Sequence, residues 1–362
     1  MAEIGPTPIE RTAFQLFTFQ NPGAKRRLVK QRVETGDFFR MSAADLEKTG
    51  FTPEQIRQIK NQPFAAAERE IVLSRKNGVR MIFKEEDDYP PLLREIFDPP
   101  EYLYCLGDAK LLAGEKLAVV GSRQASPYGS AALKRLLPEV CRAGLAVVSG
   151  MAYGIDSQAH RLALAEGGGT IGVNAGGLLR LYPAGNRALT DRLREHGSII
   201  SEFPLEVISR PFFFPVRNRI IAGISRAVLV VEAAARSGSL ITARLALEQN
   251  RDVLAVPGNI DSPLSRGTNW LIQQGAKAVL TAQDILDEFG MKASREALIE
   301  PPLNALEKKI LDLLGENEVK DSDYFVEKLN LSTAEVLSAL MGLTMQNLLV
   351  EGSGGYKKAY HG

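Results

Sequence analysis

Short, mostly apolar runs alternate with longer mixed runs through the middle of the chain. The apolar runs are Leu117–Gly121, Ala146–Ser149, Thr170–Asn174, Ser198–Glu202, Ala227–Glu232 and Asp252–Pro257. Ala227-Val-Leu-Val-Val231 contains no polar position, the pattern of a strand covered on both faces. Between these runs, Gly129–Arg142, Asp156–Glu166, Ala188–Glu195, Asn218–Ile224 and Leu240–Gln249 are predicted helices. Strand–helix alternation sustained in this way predicts an α/β core over 81–292 with a Rossmann-like, doubly wound, mostly parallel sheet.

The flanks have a different pattern. Residues 1–80 read as helices over Ile9–Phe19, Lys25–Thr35, Ala43–Thr49, Pro53–Lys60 and Ala65–Asn77. Ser42-Ala-Ala-Asp45 and Thr52-Pro53-Glu54 are helix starts, each with a capping hydroxyl and an early acid or a first-turn proline. Gly50-Phe51 between two short helices suggests a sterile-alpha-motif-like or helix-hairpin-helix-like module, against the plainer reading of a small helical packing unit. Asp98-Pro99-Pro100 marks a junction and Glu300-Pro301-Pro302 a second linker. Beyond it, 303–362 predicts helices Ala305–Leu314, Asp321–Leu329 and Thr333–Gln346, then a short Leu348–Val350 strand and a glycine-rich turn. That is the order of a winged helix. Its nine acids outnumber its six bases, whereas a wing that tracks DNA carries a basic face. A protein-contacting or weakly DNA-binding role is favoured for it.

Composition narrows the function. With a net charge of +1, any nucleic-acid site must be a local patch. Cys105 and Cys141 are too few for a disulfide framework or a cysteine-rich zinc site, and both read as buried thiols. His196 and His361 have no partner at metal-ligand spacing. No signal sequence or membrane-length apolar run is visible, so a cytoplasmic protein is expected.

Open α/β sheets bind ligands beyond the carboxyl ends of their strands. Here those ends carry Gly121-Ser122-Arg123, Ser149-Gly150-Met-Ala-Tyr-Gly154-Ile-Asp156, Asn174-Ala-Gly-Gly177, Ser201-Glu-Phe-Pro204, Arg236-Ser237-Gly238-Ser239 and Pro257-Gly-Asn259. Each alone is an ordinary turn; together the topology forces them onto one edge. Arg123 is placed to clamp a phosphate, unless it pairs with Glu202 or Glu232. Arg217, Asn218 and Arg219 are read at the start of a helix, with Phe214 ahead of them as a face for base stacking. Ser237–Ser239 opens a second helix, and helix N-termini bind anions. Asp156 and His160 lie one turn apart, more consistent with fixing a loop than with acid–base work. The chain lacks a P-loop, a Gly-x-Gly-x-x-Gly after the first strand and a Gly-x-Ser-x-Gly elbow. No catalytic residue, metal or cofactor is expected.

Assembled, these motifs resemble the DNA-processing protein A (DprA, or Smf) family. The matching segments are Val119-Val-Gly-Ser-Arg123, Ser149–Asp156 with Ala159-His160, Ser201–Pro204, Phe214-Pro-Val-Arg-Asn-Arg-Ile-Ile-Ala222, Val231-Glu232-Ala233, Ser237–Ala243 and Val256-Pro-Gly258. The resemblance implies a single-stranded DNA-binding recombination mediator that forms a homodimer, protects incoming strands and helps load the RecA recombinase in natural transformation, with no enzymatic activity. It assigns DNA contact to Arg123, Phe214, Arg217, Asn218, Arg219, Ser237, Gly238 and Ser239, and the strand ends beside them add Gly121, Ser122, Ser149, Gly150 and Gly154 as candidate contacts. Arg210 is the nearest candidate for a further basic contact upstream of Phe214. Asp156, His160 and Glu232 take structural roles. The competing reading is a phosphoribohydrolase-like, nucleotide-processing enzyme with Glu202 or Glu232 as its acid–base group. Against it, no carboxylate follows Ser237-Gly-Ser until Glu248.

Overall fold

Nine strands form one sheet: β1 Arg80–Phe83, β2 Tyr102–Gly107, β3 Lys116–Val120, β4 Ala146–Ser149, β5 Thr170–Val173, β6 Ser198–Ser201, β7 Ala227–Val230, β8 Asp252–Ala255 and β9 Lys277–Ala278. Their order across the sheet is β1-β2-β6-β5-β4-β3-β7-β8-β9. β1 pairs antiparallel with β2, and β2 with β6; from β6 to β9 all neighbours are parallel. The structure is a computed structural model that describes residues 6–61, 64–292, 303–315, 318–345, 348–352 and 354–358. The linker expected at Glu300–Pro302, and His361, lie outside the described residues.

Period-two alternation sorts the strand side chains into two cores. Ala118, Val120, Val148, Val228 and Val230 face one side, where Ile220, Ile221, Ala243 and Ala246 cover them from the helices Phe213–Gly223 and Gly238–Glu248. Leu117, Val119, Val147 and Leu229 face the other, against Leu133, Leu137, Ile155 and Ala159 of the helices Pro127–Arg142 and Ile155–Ala165. Both faces are sealed, which is why the strands read as continuous apolar runs.

The chain divides into two units, Met1–Ala293 and Ser294–Gly362. The helical segment expected as a separate module over 1–80 is part of the first unit. It has its own small core around Phe14, Phe17, Phe38 and Leu46, yet it is fastened to the sheet. Gln15 in the Pro8–Gln20 helix donates to the Tyr102 and Glu202 carbonyls at 3.2 and 3.0 Å and accepts from the Tyr102 N–H at 3.2 Å. Arg11 pairs with Glu101 at 2.7 Å. The helix expected over Lys25–Thr35 stops at Lys30, because Arg32 turns left-handed (φ 53°) and the Val33 N–H bonds back to the Leu28 carbonyl. Ser42 and Thr52 cap the helices Ala43–Lys48 and Pro53–Lys60.

The second unit holds helices Ala305–Asp312, Ser322–Leu329 and Thr333–Met345, then a hairpin of Leu349–Gly352 with Gly355–Lys358. Ile310, Phe325, Val336, Leu340 and Leu343 form its core.

Candidate nucleic-acid interface

The parallel sheet has one topological switch point. From β3 the chain passes outward through β4, β5 and β6, then returns to the opposite flank of β3 with β7, β8 and β9. A crevice must open where the connections diverge, beyond the carboxyl ends of β3 and β7. A cleft of ≈ 270 Å³ lies there, lined among others by Gly121, Ser122, Arg123, Phe214, Arg217, Asn218 and Ser237–Ser239.

Two glycines let its walls approach one another. Gly154 has φ 77° and ψ −127°, and a Cβ there would collide with the Ser122 carbonyl oxygen and the Arg123 carbonyl. The loops after β3 and β4 are thereby held in contact, with the Ile155 N–H donating to the Ser122 carbonyl at 3.0 Å. At Gly150 a Cβ would stand 2.7 Å from Arg217 Nη2 and 2.8 Å from Asp156 Oδ2. Asp156 accepts from the Gly150 and Ala152 N–H groups at 3.1 and 3.4 Å, fixing the loop to the helix that follows it. Burial raises the Asp156 carboxyl above the usual range, opposed by the charge of Arg217 and these N–H bonds.

The arginines have separate tasks. Arg123 is exposed, and among the described residues no carboxylate pairs with it, neither Glu202 nor Glu232. Its guanidinium carbon lies 5.4 Å from the Phe214 ring centroid, and that of Arg217 lies 5.8 Å from the same ring. Arg217 is buried and donates through Nη1 to the carbonyls of Gly150 (2.7 Å) and Val173, and through Nε to Asn218 Oδ1 at 3.1 Å. Burial lowers its pKa to about 10, with repulsion from Arg123 adding and Asp156 opposing. With Oδ1 occupied, Asn218 has its amide N–H groups left to donate.

Four sequence expectations need correction. The helix spans Phe213–Gly223, starting five residues before Asn218. Pro215 falls in its first turn, where a missing N–H costs nothing. Arg217, Asn218 and Arg219 therefore lie within the helix, and their backbone N–H groups are not free donors. Arg219 leaves on the other side. It is buried, ion-paired with Glu202 and, at 3.3 Å from Nε, with Asp98, and it does not line the cleft. Ser149 is fully buried, its hydroxyl donating to the Val119 carbonyl at 2.6 Å. Arg210 is exposed just before the helix but is not a lining residue.

Ser237 caps the Gly238–Glu248 helix: its hydroxyl accepts from the Ser239 N–H at 3.3 Å and bonds the Ser239 hydroxyl at 2.7 Å. This N-terminus opens into the cleft. The N-terminus of the Pro127–Arg142 helix after β3, where a Rossmann fold seats a pyrophosphate, is already filled. Glu232 accepts there from the Ser126 N–H at 3.0 Å and from its hydroxyl. His160 contacts Thr170, not Asp156: its Nδ1 stands 2.7 Å from Thr170 Oγ1, which itself donates to the Val147 carbonyl. The Thr170 proton being committed, Nδ1 carries the imidazole hydrogen. Burial lowers the His160 pKa to about 3. Glu202 and Glu232, the acid–base groups of the enzyme alternative, are both absent from the cleft lining.

The model of the DNA recombination-mediator protein A family matches residues 80–290. The chain belongs to that family. DprA of Bacillus subtilis is 44% identical over 222 residues, 61% of this chain and 75% of its own length. Protein Smf of Escherichia coli is 36% identical over 87% of each chain. The solved structure of DprA from Streptococcus pneumoniae superposes with a TM-score of 0.66 at 35% identity, covering 80% of this chain and all of that one. A solved structure of DprA from Helicobacter pylori, described for its single-stranded DNA binding mode, gives a TM-score of 0.53 at 30% identity over 58% and 95% of the two chains.

The recombination-mediator match spans the whole cleft. It also contains two residues that sequence reasoning missed. Tyr153 and Tyr182 are 48% and 47% exposed beside Phe214, and the Tyr182 and Phe214 ring centroids are 5.8 Å apart. Tyr153 was within reach, since it lies inside the Ser149–Asp156 motif. Tyr182 follows no strand end directly, and nothing in the sequence places it here.

Proposed function

We propose that the protein binds single-stranded DNA in the switch-point cleft and acts there as a recombination mediator, protecting strands and helping to load RecA in natural transformation. The carrying observation is Arg123: a solvent-facing guanidinium with no carboxylate partner among the described residues, over the Phe214 ring and in the cleft that the Ser237–Ser239 helix opening also lines. A strand needs cationic groups along its backbone and π-faces for its bases. Arg123, the helix N-terminus and the Asn218 amide supply the first, while Phe214, Tyr153 and Tyr182 supply the second. The single-stranded DNA described for the Helicobacter pylori relative supports the choice of ligand.

Homodimerisation and a cytoplasmic location belong to the same proposal. Among the described residues, no helix is long and apolar enough to cross a membrane. The test is fluorescence anisotropy of labelled oligo-dT against duplex of equal length at rising salt. Preference for the single strand, with affinity falling as salt rises, is expected. Equal affinity for both forms refutes the proposal.

A further inference from the structure

A second and larger cleft of ≈ 540 Å³ lies on the opposite side of the Phe213–Gly223 helix, between that helix and the Pro22–Lys30 helix. Five cations line it against two carboxylates, Asp98 and Glu202. The carboxylates are engaged by Arg219 and by Lys25, whose Nζ is 3.5 Å from Asp98. Arg26 and Lys30, one turn apart on one helix face, are exposed and without an ion-pair partner among the described residues. Apolar side chains line the same cleft: Phe97 is 71% exposed, Phe212 60%, and Val216 41%. Exposed apolar side chains clustered at a cavity rimmed by polar residues are a mark of interaction sites. Arg219 Nη1 and Glu202 Oε1 are buried polar atoms with no hydrogen-bond partner among the described residues, on residues that are 7% and 8% exposed.

The two clefts share one helix. Phe214 and Arg217 line the first; Phe212, Val216 and Arg219 line the second. We infer that a single strand seated at Arg123 and Phe214 continues around the amino end of this helix into the second cleft, where Arg26 and Lys30 hold its phosphates and Phe97 and Phe212 stack its bases. The inference rests on the proposed binding in the first cleft. Unpaired cations interleaved with exposed rings match a nucleic-acid strand, which offers a phosphate and a π-face at every step. The detour spans a helix width of about 10–12 Å, about three nucleotides at the duplex spacing of about 3.4 Å.

Oligo-dT of two lengths tests it: about 6 nucleotides, enough for the first cleft, and about 16, enough for both. The intact protein is compared with Arg26→Glu/Lys30→Glu, Phe97→Ala/Phe212→Ala and Arg123→Ala by anisotropy across salt. All the changed side chains are exposed, so folding is retained, and melting curves verify this. The charge-reversal variant is expected to bind the long oligonucleotide at least about tenfold more weakly, with its salt slope reduced by about 1.4 for two lost phosphate contacts. The aromatic variant is expected to lose about fivefold or more. Both are expected to keep wild-type affinity for the short oligonucleotide, whereas Arg123→Ala weakens both lengths. Unchanged long-oligonucleotide affinity in both second-cleft variants overturns the inference and leaves the cleft to a protein partner. If instead Arg123→Ala binds both lengths as wild type does, the first-cleft reading fails, and with it the continuous path.

Discussion

Arg219→Ala separates two uses of an arginine that the sequence places two residues from Arg217. In the structure the Arg219 guanidinium bridges Glu202 and Asp98, with side-chain exposures of 8%, 9% and 32%. Removing it strands the Glu202 carboxylate in the protein interior, with Lys25 Nζ at 3.9 Å as its remaining cation. Breaking a buried ion pair by deleting one partner costs about 3–5 kcal/mol. The surviving lysine argues for the lower end, about 3 kcal/mol. At roughly 2–4 °C per kcal/mol for a large domain, the melting temperature is expected to fall by roughly 6–12 °C. Arg219→Met combined with Glu202→Gln, which removes both charges and keeps the volume, is expected to recover most of that loss. Binding of a six-nucleotide strand, measured well below the transition, is expected to stay within about threefold of wild type, because Arg219 is absent from the first cleft. Differential scanning calorimetry and anisotropy read the two quantities separately. A variant that melts like wild type yet binds the short strand ten times more weakly would refute the reasoning and restore Arg219 as a direct DNA contact.

The opposite signature is expected of Arg123→Ala: an unchanged melting temperature, affinity for single strands reduced roughly 10- to 100-fold for the loss of a charge-assisted bond of about 1.5–3 kcal/mol, and a salt slope smaller by about 0.7. Full affinity in that variant would move the site elsewhere. Gly154→Ala puts a side chain into a glycine-only backbone conformation, at a cost of about 1–3 kcal/mol, and drives the Ser122–Arg123 loop outward. Calorimetry and anisotropy are expected to show both a lower melting temperature and weaker binding, and wild-type values in both assays would disprove the loop contact. His160 titrates at about 3 when folded, against 6.5 for a free imidazole. Between those values the unfolded chain holds a proton that the folded chain refuses, so this term in stability is fully present above 6.5 and declines as pH falls toward 3. At about 1.4 kcal/mol per pH unit, lowering the pH from 6.5 to 5 costs about 2 kcal/mol, and urea titrations of His160→Gln are expected to lack that component; an unaltered acid slope in the variant would contradict it.

How much of this was legible beforehand depended on how many neighbours a residue needs to reveal its role. Strands β3 to β8 announce themselves because helices cover both faces, so their inner positions are apolar and polar residues fall only at the ends of the runs. The outer strands did not. β9 has two residues, too few for any period, and β1 and β2 are the antiparallel additions flanking Asp98-Pro-Pro100, where the prolines suggested a junction. The cleft was legible as a set of strand ends because parallel topology leaves those ends no other edge. The division of labour among Arg217, Asn218 and Arg219 was not, since it depends on helix phase. With the helix starting at Phe213, positions 214, 217 and 218 share one face by i, i+3 and i+4 spacing, while 212, 216 and 219 take the other side. Placing the start at Asn218 erased that distinction, and Pro215 encouraged the error by resembling a boundary.

Glu232 shows why long-range pairing decides what the sheet edge can hold. A doubly wound fold offers anion sites wherever a helix N-terminus meets the edge, and two of them flank the switch point here. The first, after β3, is closed from within by a carboxylate 106 residues away, which meets Ser126 and leaves no room for a Cβ at Gly129. A second negative charge at that position would face Glu232 at contact distance, so a pyrophosphate is repelled where a dinucleotide fold would welcome it. The other N-terminus, at Ser237–Ser239, carries the paired Ser237 and Ser239 hydroxyls and shares its cleft with Arg123. Of these two N-termini, only the one at Ser237–Ser239, in the cleft that Phe214 also lines, is left open to an anion. A phosphate held there has an aromatic face next to it, the pairing a nucleotide strand requires and a free phosphate does not.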